Sequence, residues 1–217
     1  MYNIFTVGNK KLFLIYIPIP NKISNLIFEM NTIISKKYSN NSYSSFYNGK
    51  WQSHIMLYLS PMDMENKDSI IREIGLIAKE LSPFKIVFGD FEKASGNYLF
   101  AGIDGDSKSV LVGLHNKIVK ALVPFRDSTI KEKYLQRWDT YSLEEQQRIK
   151  EIGVPYEYVP HTSIATLSSE QEVLDATKLI KDRSLKNLEF QVKKIEIMIS
   201  NVNDYQCKEI ISSFDIR

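Results

Sequence analysis

The sequence predicts an α+β fold built from two similar lobes, and three observations lead there. Strand-like apolar runs alternate with runs of helical spacing along the 217 residues. Two of the three histidines sit near the start of matched strand-like runs, 51-WQSHIMLYLS-60 and 158-YVPHTSIATL-167. Each such run follows a strand and a helix, is followed by another helix, and each half closes on two strands. No residue-level repeat relates the halves.

The elements follow in order. The run 11-KLFLIYIPIP-20 reads as a buried strand ended by prolines. From Asn21 to about Lys37, Ile23, Leu26, Ile27, Met30, Ile33 and Ile34 have the spacing of one helix face. The Ser/Asn/Tyr-rich segment 38-YSNNSYSSFYNGK-50 has no period and reads as a loop. After the His54 strand, Ile70, Ile71, Ile74 and Ile77 predict a helix over about 69–81. Strands at 84–93 and 97–104 are joined by a turn at Ser95-Gly96. A helix over about 107–122 uses Val110, Leu111, Leu114, Ile118 and Leu122, with His115 expected at its solvated edge.

Residues 123–158 read as an inserted segment. Here 142-SLEE-145 has the form of a capping box, and Gly153 and Pro155 stop the helix it opens. Ser168 with Gln171 predicts another helix start after the His161 strand, running to about Lys181. Strand-like runs 188–200 and 205–216 end the chain.

Bulk properties narrow the function classes. A formal charge of +2 is too small for a general nucleic-acid coat or a membrane-surface protein. The single cysteine, Cys207, forms no intramolecular disulfide, and no Cys/His set has zinc spacing. The apolar run 12–19 is too short to span a bilayer and lacks the flanks of a secretory signal. A cytoplasmic protein without membrane association, without a cofactor or metal, and without an obligatory protein partner is expected.

The chemistry centres on the two histidines. Strict alternation puts Gln52, His54, Met56 and Tyr58 on one strand face, and His161, Ser163 and Ala165 on one face of the other. A lone strand histidine is more often structural than catalytic; two in matched contexts change that balance. Two imidazoles titrating near neutrality supply a proton acceptor and a proton donor. Tyr16, Trp51, Tyr156 and Tyr158 adjoin these strands and are suited to stacking a base, although packing is the commoner role of any one of them. Arg126 and Arg137 are candidates for a phosphate clamp.

The pattern resembles the 2H phosphoesterase superfamily, the LigT-like and cyclic-phosphodiesterase group, whose signature is two His-x-Thr/Ser motifs on strands of a bilobal fold. Here 161-HTS-163, led by Val159-Pro160, matches; 54-HIM-56 keeps the histidine but has Met56 where the family has a hydroxyl. His161 follows His54 by 107 positions, a longer gap than in compact members, and the 123–158 segment accounts for the excess. Its Pro-Phe-Arg-Asp opening and Gly-x-Pro close resemble extra elements in some LigT-like proteins. The resemblance implies two antiparallel sheets lining a central cleft, with helices outside. It also implies a nucleotide or RNA-end substrate, with His54 and His161 as acid and base in unassigned order. Ser163 would donate to the phosphate oxygens, and Met56, Tyr16, Tyr58, Trp51, Tyr158 and Arg126 would line the substrate site. A thioether donates no hydrogen bond. Met56 therefore leaves three readings: another donor acts, the enzyme is slower by about 10² to 10³, or the chain binds a nucleotide without turnover. A metal site is disfavoured because neither histidine has a close second ligand.

Overall fold

The computed structural model describes residues 9–38, 53–94, 97–126, 132–201 and 208–216. The expected 38–50 loop, apart from its first residue, and the Ser95-Gly96 turn lie outside these residues. So do Trp51 and Gln52. Eight strands and six α-helices are described: β1 (Lys10–Pro18), α1 (Asn21–Lys37), β2 (His54–Asp63), α2 (Lys67–Lys79), β3 (Lys85–Ala94), β4 (Tyr98–Ile103) and α3 (Gly105–Leu122) come first. They are followed by α4 (Glu132–Leu135), α5 (Leu143–Ile152), β5 (His161–Thr166), α6 (Glu170–Leu179), β6 (Glu189–Gln191), β7 (Lys194–Asn201) and β8 (Lys208–Asp215).

Local sequence explains most of these boundaries. The α1 stripe buries Ile23, Ile27, Met30 and Ile34, and Lys36 and Lys37 occupy the last turn, where the helix dipole favours cations. In α5 the Ser142 and Glu145 capping box forms as expected, and Gly153 closes the helix in the left-handed region at φ 86°. The α6 cap is one residue later than expected: Ser169, not Ser168, accepts from the Glu172 backbone N–H. On α3 Val110 is 40% exposed, off the buried stripe, whereas His115 is on it. The expected strand 188–200 breaks at Val192–Lys193 into β6 and β7, which join different sheets.

The strands form two four-stranded antiparallel sheets, β2-β1-β7-β8 and β5-β4-β3-β6. Each histidine strand is therefore an edge strand, and the two edges, β2 and β5, touch. Pro61 is tolerated in β2 because an edge strand has a side without a ladder partner. The apolar core lies on one face of each sheet: Phe13, Ile15, Ile17 and Ile55 from the first, and Leu99, Ala101, Ile103 and Ala165 from the second, pack with helix residues such as Ile27, Ile74 and Leu111. The helices cross over. The first half's α1 packs on β5, and the second half's α3 packs on β2. This is the two-lobed α+β architecture expected. No helix among the described residues is long and apolar enough to cross a membrane.

Candidate active site

Residues paired across antiparallel strands project from the same face. In the first sheet, Met56 pairs with Tyr16, Tyr16 with Glu196, and Glu196 with Ser213, so one row crosses all four strands. His54 pairs with Pro18 on the same face. In the second sheet the corresponding row is Ser163, Phe100 and Glu92, with His161 opposite Gly102. Both rows lie on the face opposite the one that packs on the helices. Each has a histidine and its second neighbour on the edge strand, an aromatic ring on the next strand, and a carboxylate on the third.

Strict alternation fails at one residue in each histidine strand. The β1–β2 register skips Leu57, and the β4–β5 register skips Ile164. Such a bulge returns the following residues to the opposite face. Tyr58 consequently pairs with Ile15 on the core face, 5% exposed, not on the face of His54 and Met56. Ala165 likewise pairs with buried Leu99 and leaves the face of His161 and Ser163. These placements correct the same-face expectations for Tyr58 and Ala165.

The first half-site is polar and internally paired. The Tyr16 ring meets the His54 ring edge-on at 5.2 Å, and its hydroxyl donates to Glu196 Oε2 at 2.6 Å. Glu196 is 3% exposed; Lys194 Nζ donates to its other oxygen, which supplies the positive partner a buried carboxylate requires. Burial, with the adjacent Glu196 carboxylate, pushes the Tyr16 phenol well above its usual range, so it stays a neutral donor.

The second half-site is more apolar. His161 lies against Phe100 with ring centroids 4.4 Å apart, and its Nδ1 is 2.7 Å from the Val159 carbonyl. In the neutral ring an Nδ1–H donating to that carbonyl leaves Nε2 as the basic nitrogen. Burial lowers the His161 pKa below the ordinary value, opposed in part by the Val159 carbonyl and the Glu92 charge. Glu92 lies over Gly102, where a Cβ would collide with its carboxylate.

The other expected site residues lie elsewhere. His115 is buried, not solvated: it is 8% exposed, its Nδ1 bonds the Leu57 carbonyl at 2.6 Å, and Tyr158 stacks on it at 4.1 Å. The Tyr158 hydroxyl donates to the Met56 carbonyl at 2.7 Å, so this tyrosine braces the backbone of β2 instead of presenting its ring beside His161. The Arg126 guanidinium lies against Gly153 and donates to the Lys150 carbonyl at the end of α5, while its backbone bridges Met62 on β2. Tyr156 is 58% exposed and Arg137 is also exposed. Glu196, Phe100 and Glu92 escaped the sequence reading because only strand pairing joins them to the histidines. His115 carried a signal, since it follows Leu111 by four residues on the α3 stripe. Among the described residues there is no group of three or more His, Cys, Asp or Glu side chains able to hold a metal ion.

Residues 36–204 match the family model described as the 2′-5′ RNA ligase superfamily. No curated protein matches the chain. Among solved structures, it is similar to TT0787 of Thermus thermophilus, with a TM-score of 0.59 and 12% identity over 95% of this chain and 98% of that one. It is also similar to E. coli LigT complexed with 3′-AMP, with a TM-score of 0.54 and 10% identity over 96% of this chain and 99% of that one. LigT complexed with NADP+ gives a TM-score of 0.51 at 11% identity, over 96% of this chain and 98% of that one. At these identities the structural likeness concerns the fold.

Proposed function

Since the chain belongs to the 2′-5′ RNA ligase superfamily, the 2H phosphoesterases, we propose that it is a metal-independent phosphodiesterase using two-histidine acid–base catalysis. Its substrate class is a cyclic phosphodiester, or a 2′–5′-linked or cyclic oligonucleotide. The observation that carries this reading is the matched placement of His54 and His161. Each opens an edge strand, on the face opposite the helices, and the two edge strands touch. The 3′-AMP in the E. coli LigT structure is a nucleoside monophosphate, the kind of molecule that opening a nucleoside 2′,3′-cyclic phosphate leaves.

In the step we propose, a water loses its proton to one imidazole as its oxygen bonds to phosphorus. The bond from phosphorus to the leaving oxygen breaks with its electron pair, and the other imidazole, protonated, gives that oxygen a proton. His161 is suited to accept, because burial favours its neutral form; His54 then donates. Ser163 shares the His161 face and is assigned to the non-bridging phosphate oxygens. Met56 has no donor for the equivalent place, and the hydroxyl of Tyr16, its cross-strand neighbour, is already given to Glu196. We assign Met56 and Tyr16 to the substrate face, and keep 123–158 as a segment inserted into one bilobal domain.

The test is hydrolysis of 2′,3′-cyclic phosphates, 2′–5′-linked dinucleotides and cyclic dinucleotides in excess EDTA. Wild-type turnover should persist, and His54→Ala and His161→Ala should each lower it by about 10² to 10⁴. Undiminished activity in either variant removes this mechanism. Met56 favours a second reading, a nucleotide-binding module without turnover. Calorimetric binding of the same ligands with no product after long incubation selects it.

A further inference from the structure

Each bulge has a buried polar partner that reaches it from the other half of the chain. The Leu57 carbonyl is 2.6 Å from Nδ1 of His115, on α3, and the Ile164 carbonyl accepts from Nδ2 of Asn31, on α1, at 2.8 Å. Leu57 is the third residue after His54, and Ile164 is the third after His161; each is the residue its ladder skips. Asn31, at 2% exposure, is the one polar residue on the buried stripe of α1. His115, at 8%, is flanked on that of α3 by Leu111, Leu114, Ile118 and Val119, with Ser107 the other polar member at the helix start.

A polar side chain on such a stripe is unfavourable unless it satisfies a buried partner. A bulge disrupts the ladder and leaves its extra residue unpaired. In a dry interior that carbonyl needs a donor from outside the sheet. The same arrangement therefore arises twice, at the same offset from each histidine, with the helices exchanged. The first bulge is held at two consecutive carbonyls, because the Tyr158 hydroxyl donates to Met56 and its ring stacks on His115.

We propose that His115 and Asn31 are reciprocal positioning residues: each fixes the bulge after the other half's histidine, and so fixes which side chains share that histidine's face. The inference rests on the reading of His54 and His161 as the acid–base pair. Loss of the bulge in β2 moves Tyr58 from the core to the His54 face, and loss of the bulge in β5 moves Ala165 to the His161 face. The first exchange fills the substrate face with a phenol. The second takes the Ala165 methyl out of the core, where it packs beside Leu99, and sets it on the His161 face.

The experiment reads the histidine rings directly, without relying on turnover. With three histidines in the chain, their ring resonances are assigned by single substitution and titrated by NMR in wild type, His115→Phe and Asn31→Leu. His115→Phe keeps an aromatic ring for Tyr158 and removes the donor. The expected result is selective: His115→Phe shifts the His54 titration and leaves His161 unmoved, and Asn31→Leu does the reverse. His115→Asn restores an amide donor and returns His54 toward its wild-type curve. On the best substrate, kcat falls by about 10- to 100-fold in each loss variant while KM changes little. A variant that leaves its partner histidine unmoved, or that moves both histidines alike, overturns the proposal. If one loss variant does not fold, the other decides by the same rule. Loss of activity in His54→Ala and His161→Ala beside unmoved titrations in the strut variants rejects the struts alone. Undiminished activity in those alanine variants rejects the catalytic reading instead.

Discussion

The two half-sites are built on one plan and filled with different chemistry. Around His161 the edge strand offers the Ser163 hydroxyl and the adjacent strand an apolar ring, Phe100. Around His54 the order is inverted, with apolar Met56 on the edge strand and the hydroxylated ring of Tyr16 beside it. The carboxylates differ as well: Glu196 is buried and paired, whereas Glu92 is exposed over Gly102. A shared backbone frame with exchanged hydroxyls is what two half-sites with unequal duties require. On the proposed reading the His161 side, where burial favours the neutral ring, would hold the base. The His54 side carries a fixed polar network of Tyr16, Glu196 and Lys194.

The largest expected effect that breaks the comparison is at Ser163. If its hydroxyl stabilises the phosphate in the transition state, Ser163→Ala lowers kcat by about 10² to 10³. Met56→Thr, which makes the halves alike, should raise kcat if the missing hydroxyl limits the wild type. Steady-state kinetics on the same substrate read both changes; a silent Ser163→Ala removes that role.

A smaller effect sharpens the difference in the second row. Tyr16→Phe makes the first half resemble the second and takes one donor from the buried Glu196 carboxylate. The expected cost is about 1 to 3 kcal/mol of folding stability, read as a lower urea midpoint. Phe100→Tyr, which adds a hydroxyl without a buried acceptor in its row, should bring no matching gain.

The smallest effect is on stability against pH. His115 and His161 have lowered folded-state pKa values, with burial the largest cause in each. The unfolded chain therefore binds protons more readily than the folded one. The stability this contributes is complete above the ordinary histidine value of about 6.5 and is lost as pH falls through the lowered folded values. Each group then contributes a slope of at most about 1.4 kcal/mol per pH unit. Thermal melts should be nearly flat from pH 8 to 7 and decline below 6.5, and His115→Asn should decline less steeply.

Much of the frame was legible because its signals are local. The α1 stripe predicts Asn21–Lys37, and Ser142 with Glu145 predicts the start of α5; both are decided by side chains within one turn. The two histidine strands and the paired lobes were legible as well. The bulges were not, because a run such as HIMLYLS alternates equally well with or without a skipped residue, and only the partner strand decides. That single ambiguity misplaced Tyr58 and Ala165. Glu196 joins Tyr16 across 180 positions, and Asn31 joins Ile164 across 133; such pairs leave no periodic trace. His115 was misread because a polar residue on an apolar stripe looks like its edge until its acceptor is known.

The crossing of α1 and α3 also bears on how the chain reaches this state. Because each half contributes the helix that covers the other half's edge strand, neither half carries its complete core. A fragment ending before β4 leaves β2 without α3, and a fragment starting there lacks α1 over β5. Contacts between such distant segments impose a high contact order, which slows folding, and they tie the halves into one cooperative unit. Denaturation should therefore give coincident transitions at Trp138, near α5, and in far-ultraviolet circular dichroism. Coincident transitions would mark the halves as interlocked parts, and separate ones as two modules joined by a hinge.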